Sequence, residues 1–280
     1  MKVEVGLYQF WPFYYQIIDK IRMKKHFFNI IIAISLFTAC SEDDANQDNS
    51  NQNSTDITAT PTSAFNEFNS DAVTVSFNGD EITIVSNALP NHTSPYWSSN
   101  SQLYIEPIVA DAQSISPGNI TESSYTLTVS SKPEKATTTT ETGLGAIGIS
   151  VTGVPIYNQS EGPTDVSEGT ASGFDWAGGH SGPTGYHYHV EARDVQETSP
   201  LTIDDDQLLG IMSDGFLIYG RKCESTGTYP TDGDASNGHF STTQHSTEEF
   251  YHYHIVNEIY LNTYYLLFGV DLQGTPNSIM

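Results

Sequence analysis

Cysteine and basic residues are both scarce in this chain of 280 residues. It contains two cysteines, and ten lysines and arginines stand against 34 aspartates and glutamates. The formal net charge of −24 repels nucleic acid and anionic lipid headgroups and attracts cations. We therefore expect no nucleic-acid partner.

An internal disulfide is excluded if Cys40 is modified, and the sequence before it predicts that modification. A basic stretch at residues 23–26 precedes an apolar run at 27–37 and small residues before Cys40. The apolar run is too short to cross a bilayer, which takes roughly 20 residues. We interpret residues 23–39 as a lipoprotein signal peptide and Cys40 as the lipidated first residue of the mature chain. Only Cys223 then remains.

The segments on either side of this signal lack features of a folded domain. A signal normally begins at its basic region, so residues 1–22 are interpreted as a mis-assigned upstream extension, the alternative being an aromatic-rich helix. Residues 40–70 are rich in Ser, Asp, Asn and Thr and are predicted to be the lipidated cysteine and a flexible acidic and polar tether. Residues 41–44 resemble the acidic export signal of surface lipoproteins, although plain linkers have the same composition. The expected location is extracytoplasmic, with a lipid anchor in the outer membrane or at the cell surface.

No stretch after residue 70 has a sustained helical period. Short runs alternate between apolar and polar residues instead, and the runs at 73–77 and 81–85 flank an Asn-Gly-Asp turn typical of a hairpin. Residues 137–142 are predicted to be a polar loop. The pattern predicts one all-β domain at residues 71–280, a sandwich or barrel of many short strands.

The tetrapeptide Tyr-His-Tyr-His occurs twice, at residues 186–189 and 251–254, and contains four of the nine histidines. Strict alternation predicts strands with histidine on one face, their Cβ atoms about 7 Å apart, and tyrosine on the other. Two such strands side by side would direct four imidazoles to one point, which suits a transition metal. The alternative is a half-buried strand with polar tips. The two copies are too isolated in the sequence to predict a structural repeat. The expected ligands are His187, His189, His252 and His254.

Two further residues are candidates for the same site. His180 lies in a glycine-rich segment at residues 178–185, which would let the backbone approach a ligand closely. Asp214 could bind the metal or orient a histidine, although an Asp-Gly pair is also a common turn. Imidazole ligands predict a divalent transition metal, copper or zinc. Catalytic residues are not identifiable, because no serine lies in a nucleophile elbow, and both simple metal binding and metal-dependent catalysis remain open.

Several segments, in this order, are similar to the YHYH-domain family of exported bacterial proteins. The similarity runs over about residues 72–270 and rests on residues 86–92, 145–157, 179–189, 213–220, 234–239 and 251–254. The resemblance implies an exported YHYH domain and no particular activity. Where the family commonly has Glu-Cys before an Asn-Gly pair, this chain has Ala235 and Ser236, and Cys223 is not taken as a replacement for that cysteine.

A function of another class is also compatible with the composition. Trp97, Trp176 and many tyrosines could stack on sugar rings, which would fit a non-catalytic cell-surface adhesin or glycan-binding module with a glycan or protein partner. A geometry in which the four histidines converge would favour the metal site. Histidines on outer faces beside an exposed aromatic platform would favour the binding module.

Overall fold

A computed structural model describes residues 59–107, 113–192, 205–261 and 263–280. The predicted signal peptide, Cys40 and the tether up to residue 58 lie outside the described residues. Within these ranges there is no helix with the length and apolar character needed to cross a membrane.

The described residues form short strands and very little helix, which confirms the all-β prediction. The strands are β1 (Val73–Asn78), β2 (Glu81–Ser86), β3 (Tyr125–Ser130), β4 (Lys135–Thr140), β5 (Gly148–Ser150), β6 (Pro155–Ile156), β7 (Ser160–Glu161), β8 (Thr164–Asp165), β9 (Gly179–Gly182), β10 (Gly185–Tyr188), β11 (Leu208–Met212), β12 (Leu217–Tyr219), β13 (Gly238–Thr243), β14 (Ser246–His254) and β15 (Leu272–Gly274). A 3₁₀ helix covers Thr62–Glu67, and the helix α1 covers Glu168–Ala171.

Two sheets pack face to face as a sandwich. Strands β1, β2 and β3 form an antiparallel sheet in that order, and the predicted hairpin joins β1 to β2 through Gly79 at a φ of 62°. The larger sheet has the order β13-β14-β12-β11-β5-β6-β10-β9. Buried apolar side chains from both sheets meet in one cluster, which gives the two layers a shared core. They include Ile82, Ile84, Leu127, Ile149, Ile211 and Leu217.

Two segments differ from the sequence-based expectation. Residues 137–142 were expected to be a loop, but most of them belong to β4, which pairs with β15 near the end of the chain. Threonine is β-branched and favours strands. The backbone hydrogen bonds of β4 are supplied by β15, which lies far away in the sequence. The end of the predicted tether is also folded, because Phe65 and Phe68 are buried in the core of the sandwich. The folded domain therefore begins before residue 71.

The larger sheet consists of two equivalent halves. Its order is a palindrome, in which β9, β10, β6 and β5 on one side correspond to β13, β14, β12 and β11 on the other. The central antiparallel pair, β5 with β11, has a register that maps onto itself when the halves are exchanged. Its paired residues are Ile149 with Ile211, Gly148 with Met212, and Ser150 with Gly210. An approximate two-fold axis therefore passes between Ile149 and Ile211.

The sequence retains a trace of this symmetry. Residues 148–161 and 210–223 align without a gap and share five of fourteen residues. The shared pairs are Gly148 and Gly210, Ile149 and Ile211, Gly153 and Gly215, Ile156 and Ile218, and Tyr157 and Tyr219. The expectation that the two Tyr-His-Tyr-His copies are not part of a structural repeat was therefore wrong. The repeat is hard to see because the segments that follow these runs differ in length.

Candidate metal centres

Each Tyr-His-Tyr-His segment pairs with a Gly-His segment that precedes it. In the hairpin of β9 and β10, His187 lies opposite His180. In the hairpin of β13 and β14, His252 lies opposite His239. Directly opposed residues of an antiparallel pair have side chains on the same face, so each hairpin brings three histidines together.

The histidines form two separate groups, and each group includes one side chain that can be anionic. Site 1 consists of Glu161, His180, His187 and His189, and site 2 consists of Cys223, His239, His252 and His254. Within each site, one ligand atom from every residue lies within 4.8 Å of the others.

One site shared by all four Tyr-His-Tyr-His histidines was expected, and the strand order contradicts it. Strands β12, β11, β5 and β6 lie between β14 and β10. At about 4.8 Å per strand, the two segments are about 24 Å apart. Each Tyr-His-Tyr-His segment pairs with its own hairpin partner and with one parallel neighbour. That neighbour is β6 for the first segment and β12 for the second. Each segment therefore completes a site within its own half.

Backbone carbonyls fix the orientation of the histidines in site 1. The Nδ1 atom of His189 donates to the carbonyl oxygen of Asn158 at 2.6 Å, and that of His187 donates to Gly185 at 2.9 Å. A carbonyl can only accept, so the proton of each neutral ring lies on Nδ1 and the Nε2 lone pair is free to bind a metal. Phe174 stacks on the ring of His189, with ring centroids 5.4 Å apart.

The same arrangement occurs in site 2. Nδ1 of His254 donates to the carbonyl oxygen of Gly220 at 2.7 Å, and Nδ1 of His252 donates to Phe250 at 3.0 Å. Nδ1 of His239 lies 2.8 Å from a carboxylate oxygen of Asp232. Partners of this kind are usual for the second nitrogen of metal-binding histidines, where they set the tautomer and the ring orientation.

Several Nε2 atoms in these sites are buried without a hydrogen-bond partner. A buried polar atom with no partner costs about 1–3 kcal/mol, so a folded protein rarely leaves several close together. One metal ion in each site would give these nitrogens a partner. The atoms are Nε2 of His180, His187 and His239.

Burial keeps four of the site histidines in the neutral form that binds metals. Burial, followed by the neighbouring histidines of site 1, lowers the pKa of His180 to about 3. In site 2, burial lowers the pKa of His254 to about 4. The pKa values of His187 and His252 are also lowered, mainly by burial. These rings are therefore unprotonated at neutral pH.

The fourth residue of each site is available as an anion. Oε2 of Glu161 lies 3.7 and 3.1 Å from Nε2 of His187 and His189, and a partly exposed carboxyl group is ionised at neutral pH. Burial alone would raise the pKa of Cys223, but hydrogen bonds to its sulfur outweigh burial and lower the pKa to about 6. A carboxylate and a thiolate are both established metal ligands.

The tyrosines lie on the opposite face and hold the hairpins in place. The hydroxyl of Tyr186 donates to Asp175, and that of Tyr251 donates to Asp234 at 2.8 Å. Asp214 has the same kind of role, because it accepts a hydrogen bond from Tyr253 at 2.6 Å. The structure places Asp214 in neither histidine group, although it was a candidate ligand.

Of the six candidate ligands, five histidines lie in the two sites: His180, His187 and His189 in site 1, and His252 and His254 in site 2. The sequence reading missed Glu161, Cys223 and His239. His239 could have been found, since a Gly-His pair precedes each Tyr-His-Tyr-His segment. Glu161 and Cys223 could have been found from the aligned runs 148–161 and 210–223, because they are the last residues of those two runs.

Comparison with known proteins finds one matching family model. The family model described as "YHYH protein" matches residues 126–233. This match indicates a YHYH domain over those 108 of the 280 residues. The matched part of this domain contains all of site 1 and Cys223, whereas the second Tyr-His-Tyr-His segment lies beyond it. No curated protein and no solved structure matches the chain.

Proposed function

We propose that the YHYH domain is a metal-binding domain that holds two divalent transition-metal ions, one in each half of its larger sheet. The observation that supports this most strongly is the repeated donor set. Each half presents three buried histidines and one anionic side chain, with ligand atoms within 4.8 Å of each other.

The spacing of the donor atoms fits a single ion in each site. Two atoms bound to a tetrahedral zinc ion at about 2.0–2.1 Å lie roughly 3.3 Å apart. In site 1, Oε2 of Glu161 is 3.4, 3.7 and 3.1 Å from Nε2 of His180, His187 and His189. In site 2, the Nε2 atoms of His252 and His254 are 3.1 Å apart. Small movements of these side chains would complete both coordination spheres.

Copper and zinc are the metals we propose. Imidazole binds both, and the thiolate of Cys223 adds a soft ligand that favours zinc or copper over magnesium, calcium or manganese. With its histidines bound as neutral ligands, each site would carry the single negative charge of Glu161 or Cys223, which suits a divalent cation.

The proposal is tested by metal analysis of the natively purified, untagged domain and of matched variants. The wild type should hold two ions per chain, and His187→Ala and His252→Ala should each hold one. The double variant should hold none. His245→Gln is the matched control, because His245 is a mostly buried histidine that contacts Tyr219 and belongs to neither site. Equal copper and zinc content in the wild type and the double variant would overturn the proposal.

We further propose that the protein acts outside the cytoplasm on a lipid anchor, at the outer membrane or cell surface. The support is the sequence pattern before Cys40. An exported protein with Cys223 as its one remaining cysteine has no internal disulfide, and two metal ions would stabilise the fold in its place.

The adhesin or glycan-binding alternative receives less support. Trp176, one of the aromatic residues considered for stacking on sugars, is 1% exposed, and its ring nitrogen donates to the carbonyl oxygen of Thr93 at 2.7 Å. Trp97 packs against the core, and its ring nitrogen donates to the carbonyl oxygen of His92. These tryptophans are therefore structural. The four Tyr-His-Tyr-His histidines do not converge on one point, but each pair converges with two further donors in its own half, which supports metal binding.

A further inference from the structure

The two sites differ at one equivalent position. Glu161 and Cys223 are the last residues of the two aligned runs, and each supplies the anionic ligand of its half. The three histidines of each site correspond in strand position, and the Nδ1 partners of His187 and His189 correspond to those of His252 and His254. The chemical difference between the sites is therefore concentrated in this pair.

Site 2 is closed to solvent on the side of its anionic ligand. Cys223 has no exposed surface, and its Sγ atom lies 3.0 and 3.2 Å from the hydroxyls of Ser225 and Ser241. The backbone N–H of Cys223 also donates to the carbonyl oxygen of Thr228. These contacts hold the thiolate in position against the histidines.

Site 1 is more open at the equivalent point. The side chain of Glu161 is 27% exposed, whereas those of His187 and His189 are 2% and 0% exposed. Glu161 lies in β7, which forms a two-stranded sheet of its own with β8. A partly exposed carboxylate on this small hairpin can move away from a metal and be replaced by water or another ligand, while the histidines stay fixed.

We propose that the two sites have different roles, an inference that rests on the metal-binding function above. Site 2 holds its ion as a closed, four-coordinate structural centre. Site 1 exchanges its ion with solvent and admits a small anionic ligand when Glu161 moves away. This division matches the general difference between closed structural sites and metal sites that keep a position for water or substrate.

Cobalt(II) is a suitable probe because a thiolate bound to cobalt gives a charge-transfer absorption that histidine and carboxylate ligands do not. The metal-free wild-type domain is loaded with cobalt(II), and the ions are then withdrawn with excess EDTA. We expect two ions per chain that leave in two phases, the first at least about tenfold faster than the second. The charge-transfer band should persist through the fast phase and disappear with the slow one. Azide should perturb the cobalt spectrum of the loaded domain and leave the charge-transfer band in place.

The outcomes separate this inference from the proposed function. If no cobalt binds, the metal-binding function itself is wrong. If two ions bind but the charge-transfer band is lost in the fast phase, or both ions leave together, two sites exist without the division of roles. Binding of a single ion would also overturn the division.

Two matched variants test the assignment of each phase. Cys223→Ser should lose the charge-transfer band and keep the fast phase. Glu161→Gln should keep the band and lose the response to azide or change the rate of the fast phase. If Cys223→Ser does not fold, the wild-type kinetics still decide the question, because the absorption band labels site 2 directly. A change in the slow phase alone for Glu161→Gln would contradict the assignment.

Discussion

Glu161 and Cys223 occupy the same position in the two halves of the domain, eight residues after Gly153 and Gly215. Both glycines have a positive φ, of 91° and 92°, so the turn between the two strands of each run has the same backbone conformation at this residue. The strands that follow, β6 and β12, pair in parallel with the two Tyr-His-Tyr-His strands. This pairing brings a carboxylate to one set of histidines and a thiol to the other.

Replacement of Asp214 by Asn should lower stability without changing metal content. The buried carboxylate accepts hydrogen bonds from Tyr253 at 2.6 Å and from the backbone of Gly274 at 3.0 Å. Asn presents one oxygen in place of two, so a buried donor loses its partner at a cost of about 1–3 kcal/mol. Urea unfolding of the metal-loaded variant gives the stability, and elemental analysis should still give two ions. Loss of an ion from an otherwise folded variant would show that Asp214 acts at a metal site.

Replacement of Gly178 by Ala should damage site 1 and leave site 2 intact. Gly178 has a φ of +87°, and a Cβ atom there would lie 2.0 Å from the carbonyl oxygen of Val190. Its own carbonyl accepts the backbone N–H of His189, so any shift is transmitted to that ligand. We expect a loss of metal from site 1, measured by elemental analysis.

The equivalent residue in the other half is Asn237, which provides the matched control. Asn237 has a φ of +55°, and asparagine tolerates this conformation. Asn237→Gly removes side-chain hydrogen bonds to the carbonyls of His254 and Ile255 and introduces no clash. It should keep the metal of site 1. Equal loss of that metal in both variants would contradict the steric argument.

The metal-free domain should lose stability as the pH falls from about 6.5 towards 4. Burial lowers the pKa of His180 to about 3 and that of His254 to about 4, from 6.5 in the unfolded chain. Between these values the unfolded state binds more protons than the folded state, so the free energy of unfolding decreases as pH decreases. Each histidine contributes at most about 1.4 kcal/mol per pH unit in this window.

Urea unfolding in EDTA at a series of pH values measures this effect. His254→Ala should have a shallower dependence on pH than the wild type between about 6.5 and 4, because one of the groups that takes up a proton on unfolding is gone. An unchanged slope would show that His254 is not held in the neutral form by the folded protein.

Cys40 should be the first residue of the mature protein and should carry lipid. The expectation rests on the basic region, the short apolar run and the small residues before it, all of which lie outside the described residues. Mass spectrometry of the membrane fraction measures the modification. Cys40→Ser should abolish it and release the protein from the membrane. An intact N-terminus with an unmodified Cys40 would contradict the prediction.

The sequence by itself determined the local features. Alternation of tyrosine and histidine, as in residues 251–254, has the period of a strand, and the structure has histidine on one face and tyrosine on the other. The hairpin around Gly79 was readable for the same reason, since neighbours in sequence decide both the turn and the alternation. Five of the six candidate ligands lie in the two sites, four of them on the histidine faces of the two Tyr-His-Tyr-His segments.

Only the tertiary structure decided how many sites exist and which residues complete them. Whether His189 and His254 share a site depends on which strands lie between them, and strand order is set by pairings between segments far apart in the chain. The same pairings bring Glu161 and Cys223 to the histidines and direct Asp214 to a tyrosine instead. Sequence periodicity fixes the face of a strand on which a side chain lies. Which other residues contact that side chain depends on how the strands of the whole sheet pair and pack.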